Sequence, residues 1–146
     1  MRIILITWAA LIVLGLSACH STPGMMNTPS GLPEVVIQSK SRQQILQTAQ
    51  EFFVQRGYAS KPSDNGNKLI FDRRTEKPGG KPSASNCWRV RLALIDLSNG
   101  SYRLTGTPCK VDDCGGELEA EHVMAVSFPQ IQSLLEEIRT QAQFAR

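Results

Sequence analysis

The tightest constraint on the fold of this chain lies between residues 88 and 104. Trp88, Val90, Leu92 and Leu94 alternate with Arg89, Arg91 and Ala93, and Asn99-Gly100 follows. Alternation with a period of two marks a strand with one buried face. Asn-Gly between two such runs is the strongest short signal for a hairpin turn. Folding about that dipeptide sets Leu97 opposite Tyr102, Asp96 opposite Arg103 and Ile95 opposite Leu104. Ile95 and Leu97 then fall on the other face from Leu92 and Leu94, so a bulge near Leu94 is expected to reset the register. A chain containing this hairpin must cover one side of it with something apolar.

Two segments offer that cover. Ile45, Leu46, Ala49, Phe52 and Phe53 recur at helical spacing behind a capping-box pair, Ser41 and Gln44. Gly57 supplies a left-handed stop, and Tyr58 is placed to fold back on the last turn. A second stripe runs through Ile131, Leu134, Leu135, Ile138 and Ala142, with Ser127 and Gln130 as its cap. Shorter β-branched or alternating runs predict strands over 34–38, 58–62 and 68–72, with a turn at Ser63-Asp64-Asn65-Gly66. Residues 75–86 hold two prolines and paired glycines and read as a mobile loop. Leu118, Ala120, His122, Met124, Val126 and Phe128 alternate against Glu117, Glu119 and Glu121, which predicts a last strand; a helix over 117–125 competes with it. The fold class that buries every stripe is α+β: a two-layer domain, an antiparallel sheet with two amphipathic helices packed on one face.

The first residues are of a different kind. Arg2 precedes an uncharged apolar run from Ile3 to Leu14, followed by Leu16-Ser17-Ala18-Cys19. A positive start with a short apolar run is the layout of a secretory signal peptide, and the run falls short of the ~20 residues a membrane span needs. Leu-Ser-Ala-Cys resembles the lipobox of bacterial lipoproteins. That resemblance implies cleavage after residue 18, a diacylglyceryl group on the Cys19 thiol and acylation of its new amine. Several acyl chains anchor a protein stably where one does not. His20 occupies the position where an aspartate retains enterobacterial lipoproteins at the inner membrane, so the resemblance points to the periplasmic face of the outer membrane. Residues 20–33 are rich in Ser, Thr, Pro, Gly and Asn and read as a tether, Met25 and Met26 included. The expected organisation is thus a signal peptide at 1–18, a lipidated cysteine and tether at 19–33, and a single domain at 34–146.

Charge and cysteines bound the chemistry. The chain has 16 Lys+Arg and 13 Asp+Glu. Removing Arg2 with the signal peptide leaves 15 against 13, a balance that does not suit nucleic acid. Basic residues dominate from Arg56 to Lys110, and Asp112, Asp113, Glu117, Glu119 and Glu121 follow. Solvated faces explain this more simply than an interaction patch. With Cys19 lipidated, Cys87, Cys109 and Cys114 remain, and an oxidising compartment predicts a disulfide among them. The hairpin places Cys87 near Asp112, within reach of Cys109 or Cys114, while a small Cys109–Cys114 ring is the rival. A Cys3His zinc site from Cys87, Cys109, Cys114 and His122 is a weaker alternative, because the spacing matches no recognised zinc pattern.

Catalytic motifs are sparse. No Gly-x-Ser-x-Gly occurs, and Ser63-Asp64-Asn65 lacks the serine–lysine and Lys-Thr-Gly elements that would make it a β-lactamase feature. With His20 in the tether, His122 is the domain's sole imidazole, and no phosphate-binding glycine loop is present. Glu119 and Glu121 read as an acidic solvated edge. No cofactor is expected. The leading expectation is a non-catalytic interaction or assembly module with an envelope protein as partner. A small-molecule or glycan site in the sheet–helix crevice, with Arg89 and Arg91 facing an anion, is the first rival. A thiol- or His122-dependent enzyme is the second.

Overall fold

The computed structural model describes residues 25–63, 65–76 and 82–144; residues 1–18, expected to be a signal peptide, and Cys19 lie outside them. The elements are β1 (Glu34–Gln38), α1 (Arg42–Gln55), β2 (Ala59–Lys61), β3 (Lys68–Glu76), β4 (Pro82–Asp96), β5 (Ser101–Asp112), β6 (Ala120–Val123), a 3-10 turn (Ala125–Ser127) and α2 (Phe128–Phe144). The six strands form one antiparallel sheet in the order β1-β5-β4-β3-β2, with β6 also on β5. Both helices lie on one face. This is the expected two-layer α+β domain. Among the described residues no helix is long and apolar enough to cross a membrane.

The signals of α1 act as their chemistry requires, whereas the expected cap of α2 by Ser127 and Gln130 forms no hydrogen bond among the described residues. The Ser41 hydroxyl accepts from the Gln44 N–H while the Gln44 side chain accepts from the Ser41 N–H, closing the capping box. At the other end Gly57 takes φ +80°, its N–H donates to the Val54 carbonyl, and the Tyr58 N–H donates to that of Phe53. The Tyr58 ring then packs edge-on against Phe53 at 5.1 Å. Phe53 stacks on Phe71 of β3 at 4.6 Å, which joins α1 to the sheet. The core continues through Ile37, Leu92, Leu94, Leu104, Leu135 and Ile138. Helix α2 approaches β5 so closely that a Cβ on Gly106 would lie 2.6 Å from Ile131 Cγ2. Glycine is required there by packing.

β5 is the organising strand. Its whole length pairs with β4, and its other edge is divided, taking β1 along Ser101–Thr105 and β6 along Cys109–Asp112. Pro108 sits at the division. Its carbonyl accepts from the Met124 N–H, so the donor it lacks would have faced a gap between two partners rather than a continuous ladder.

Four expectations are corrected. The hairpin loop holds three residues, Ser98-Asn99-Gly100, with the Leu97 N–H donating to Ser101 and φ of 58° and 74° at Ser98 and Gly100. Asp96 and Asn99 side chains accept from the Ser98 and Ser101 N–H groups and stabilise the longer loop. The register is therefore shifted by one residue: Asp96 faces Tyr102 and Leu94 faces Leu104. Two buried leucines now pair, the ladder runs unbroken from Asn86 to Asp96, and no bulge forms near Leu94.

The presumed loop 75–86 is largely strand, since β3 extends to Glu76 and β4 begins at Pro82, with Glu76 facing Pro82; residues 77–81 lie outside the described ones. The last strand is only Ala120–Val123. Leu118, which was to face the core, is 84% exposed, because its alternation belongs to a turn and an edge strand. Finally, residues 25–33, expected to be part of a tether, are hydrogen-bonded into the domain. Met26 donates to Gly31, Gly31 to Thr28, and the fully buried Pro33 accepts from Gly106. Residues 25–33 belong to the domain.

Candidate functional site

Alternation in β4 aims Arg89 and Arg91 away from the helices, where a side chain would ordinarily meet water. Arg89 is nonetheless only 4% exposed. Its cover is the segment 113–119, which leaves β5 and folds back across the open face as a strap. Asp113 and Gly115 take φ of 53° and 84°, and the Gly116 N–H donates to the Asp113 carbonyl at 2.8 Å, turning the chain sharply. A disulfide from Cys114 to Cys87, with Cα atoms 5.8 Å apart, ties the strap to β4. Glu119 lies 3.3 Å from Lys61 of β2, so the strap spans the sheet as far as its edge.

The strap closes an ion-pair network on Arg89. Its Nε and Nη2 donate to the two Asp72 oxygens at 2.7 and 2.8 Å, a bidentate fork. Nη1 donates to Glu121 at 2.6 Å and also to Glu119. Glu121 receives Arg91 at 3.1 Å, and Lys61 lies 3.3 Å from both Asp72 and Glu119. The cations Lys61, Arg89 and Arg91 thus meet the carboxylates Asp72, Glu119 and Glu121, and the group is neutral. The Arg89 hydrogen bond, helped by the Gly115 N–H and Lys61, holds the Glu119 carboxyl down to about 2 against the opposing effect of burial. The hydrogen bonds it donates to Asp72 hold Arg89 still more firmly protonated than an ordinary arginine. Part of the uneven charge of the sequence is thereby explained: Arg89 and Arg91 of the basic middle pair with Glu119 and Glu121 of the acidic stretch after it. This corrects the reading of Glu119 and Glu121 as a solvated edge, and of Arg89 as a residue free to face a ligand.

The remaining candidates are placed as follows. Cys87 and Cys114 form the disulfide, one of the pairings the hairpin allowed, and the Cys109–Cys114 ring does not form. Cys109 is a free, buried thiol that burial pushes up, away from the reactive thiolate. His122 is exposed and faces Lys110, its Nε2 3.3 Å from Asp112. Asp112 is held below the usual carboxylate range chiefly by Lys110. Cys109 pairs with Val123 and His122 with Lys110, so neighbouring register positions send the thiol and the imidazole to opposite faces. The four proposed zinc ligands are not brought together. Among the described residues, the one grouping of metal-ligand types is Asp72 with the two disulfide sulfurs, and Asp72 already receives Arg89 and Lys61.

A second feature lies on the helix side of the sheet. Trp88, Val90 and Pro108 continue the core face of β4 and β5 beyond the reach of α1. The start of α2 forms one wall, with Ser127, Gln130, Ile131 and Leu134, and Tyr58 with Arg73 forms the other. The crevice between them has a volume of about 500 Å³. Trp88 is 36% exposed at its mouth, and the Arg73 guanidinium lies 5.7 Å over the Tyr58 ring. A larger hollow of about 870 Å³ runs along α1 from Ser41 to Val54, but one helix alone lines it. Sequence reasoning named the sheet–helix crevice but not Tyr58, Arg73 or Trp88. The available signal was that the β4 alternation begins at a tryptophan, several residues before the helices can cover it.

No family model matches the chain, and no curated protein matches it. Among solved structures, the adenylate sensor of AMP-activated protein kinase, in complex with 5-aminoimidazole-4-carboxamide ribofuranotide, aligns with a TM-score of 0.43 and 16% identity. The alignment covers 77% of this chain and 95% of that one. A likeness at that level carries no functional argument.

Proposed function

We propose that this chain is a lipid-anchored protein of the bacterial envelope, held through Cys19, whose domain acts by binding rather than by catalysis. The observation that supports binding most directly is the division of labour between the two faces. Asp72, Glu119 and Glu121 are engaged in a neutral network, Cys87 and Cys114 in a disulfide, and Cys109 is a buried thiol, while His122 stands apart at an exposed edge beside Asp112. The crevice on the other side stays open and presents rings and cations. An envelope partner or an envelope component would be bound there, on the periplasmic face of the outer membrane.

The anchor reading has a geometric consequence. Met25 is the first described residue, and the stretch of chain from Cys19 to it can span at most about 20 Å. The domain is held close to the bilayer, nearer than a tether running to Pro33 would allow. Intact mass of the membrane-extracted protein tests the proposal. The expected mass begins at Cys19, carries acyl chains, and has two thiols that react with alkylating reagent only after reduction. A mass that includes residues 1–18, or lacks lipid, would contradict the anchor.

A further inference from the structure

We infer that the crevice beside Trp88 is a site for a saccharide bearing a carboxylate, which deepens the binding reading and rests on it. Four features of the lining point to this class. Among the described residues its charged members are Arg73 and Arg74, with no Asp or Glu in the lining. Neither arginine makes an ion pair among the described residues, in contrast to Arg89 on the opposite face. Arg73 lies over the Tyr58 ring. The local positive charge is therefore unbalanced, and an anion would balance it.

The start of α2 adds to that field. Ser127 and Gln130 stand in the wall where the 3-10 turn runs into a helix of 17 residues, and the N-terminal end of a helix favours negative charge. The rest of the lining is mixed. The exposed indole of Trp88 gives a flat apolar platform of the kind that receives the C–H face of a sugar ring. Ser127 and Gln130 give neutral donors and acceptors at the rim for hydroxyl or amide groups. The volume of about 500 Å³ falls in the range of small-molecule sites. An acyl chain would instead need a deep apolar tunnel, and this crevice is open with polar groups on both walls.

Trp88 also supplies the reporter. The chain has two tryptophans, and the other, Trp8, precedes the cleavage position. Tryptophan emission of the mature full-length protein in detergent would be titrated with two probes. One is the disaccharide of N-acetylglucosamine and N-acetylmuramic acid, whose lactyl group is a carboxylate. The other is chitobiose, of like size and uncharged. The expected result is a saturable shift with the first probe and binding at least about tenfold weaker with the second. Arg73→Glu and Gln130→Glu, both at exposed positions, should each weaken the first probe by about tenfold or more while leaving the unfolding midpoint unchanged. Equal binding of the two sugars, no saturable shift with either, or unchanged affinity in both variants would overturn the inference. A saturable shift with a fatty acid and none with the sugars would replace the saccharide by a lipid. Lipid on Cys19 with no sugar binding sinks this inference alone, and sugar binding by an unlipidated protein sinks only the anchor.

Discussion

The two faces of the sheet are buried by different physics. On the helix side, Phe53 stacks on Phe71, Leu94 meets Leu104, and Ile131 presses onto Gly106. That face is held by apolar area and close packing. On the open side no helix is available, and the buried centre is an arginine under a strap, ringed by three carboxylates. A two-layer domain has one face with no second layer, and here a disulfide-tied segment with balanced charge takes its place. The difference teaches where each face is vulnerable: the first to loss of volume, the second to loss of charge balance or of the strap.

The largest effect should come from the apolar face. Phe53→Ala removes a fully buried ring with three aromatic neighbours, Phe52, Tyr58 and Phe71, and should cost about 4 kcal/mol in urea unfolding. A cost below about 1 kcal/mol would mean the helix layer does not carry the domain. On the open face, replacing Cys87 and Cys114 together by serine opens a loop of sequence separation 27. The loss should be about 3 kcal/mol, with faster hydrogen exchange confined to residues 113–119. Uniformly faster exchange would show that the strap is not a separate cooperative unit.

Arg89→Lys keeps the charge but loses the fork on Asp72 and the reach to both glutamates. It should cost about 2 kcal/mol. The same change at Arg91, which is more exposed and whose one ion pair among the described residues is with Glu121, should cost under about 0.5 kcal/mol. Equal effects at the two positions would erase the distinction between a buried charge and a solvated one.

These contrasts also separate what was legible in the sequence from what was not. Local signals were legible. Ser41 with Gln44, Gly57, the stripes in α1 and α2 and the alternation in β4 each act within a few residues, and each appears where its chemistry put it. The hairpin register failed by one position because Asp96 and Asn99 stabilise a third loop residue, a choice that the Asn-Gly dipeptide does not reveal. The open face was hidden for another reason. Arg89 meets Asp72 on one neighbouring strand and Glu119 on the strap, 17 and 30 positions away, and only the tertiary fold brings them together. The run of bases followed by a run of acids was visible as a pattern, but single-sequence reasoning assigned both to water. The same holds for the crevice, whose walls come from Tyr58, Arg73, Trp88 and Ser127, on separate elements.

The central claim, that charge holds the open face, is tested most directly by stability as a function of pH. Glu119 titrates at about 2 when folded, against an ordinary value of 4.5. Its contribution is therefore complete above that ordinary value and is lost as pH falls toward the folded one, amounting to about 3 kcal/mol. Urea midpoints would be measured from pH 6 down to 2 for the parent protein and for Glu119→Gln, which cannot titrate. The account predicts that the parent loses about 3 kcal/mol more than the variant across the interval from pH 5 to 2, and that the two curves converge at the acid end. Parallel curves, with the same loss in both proteins, would contradict it.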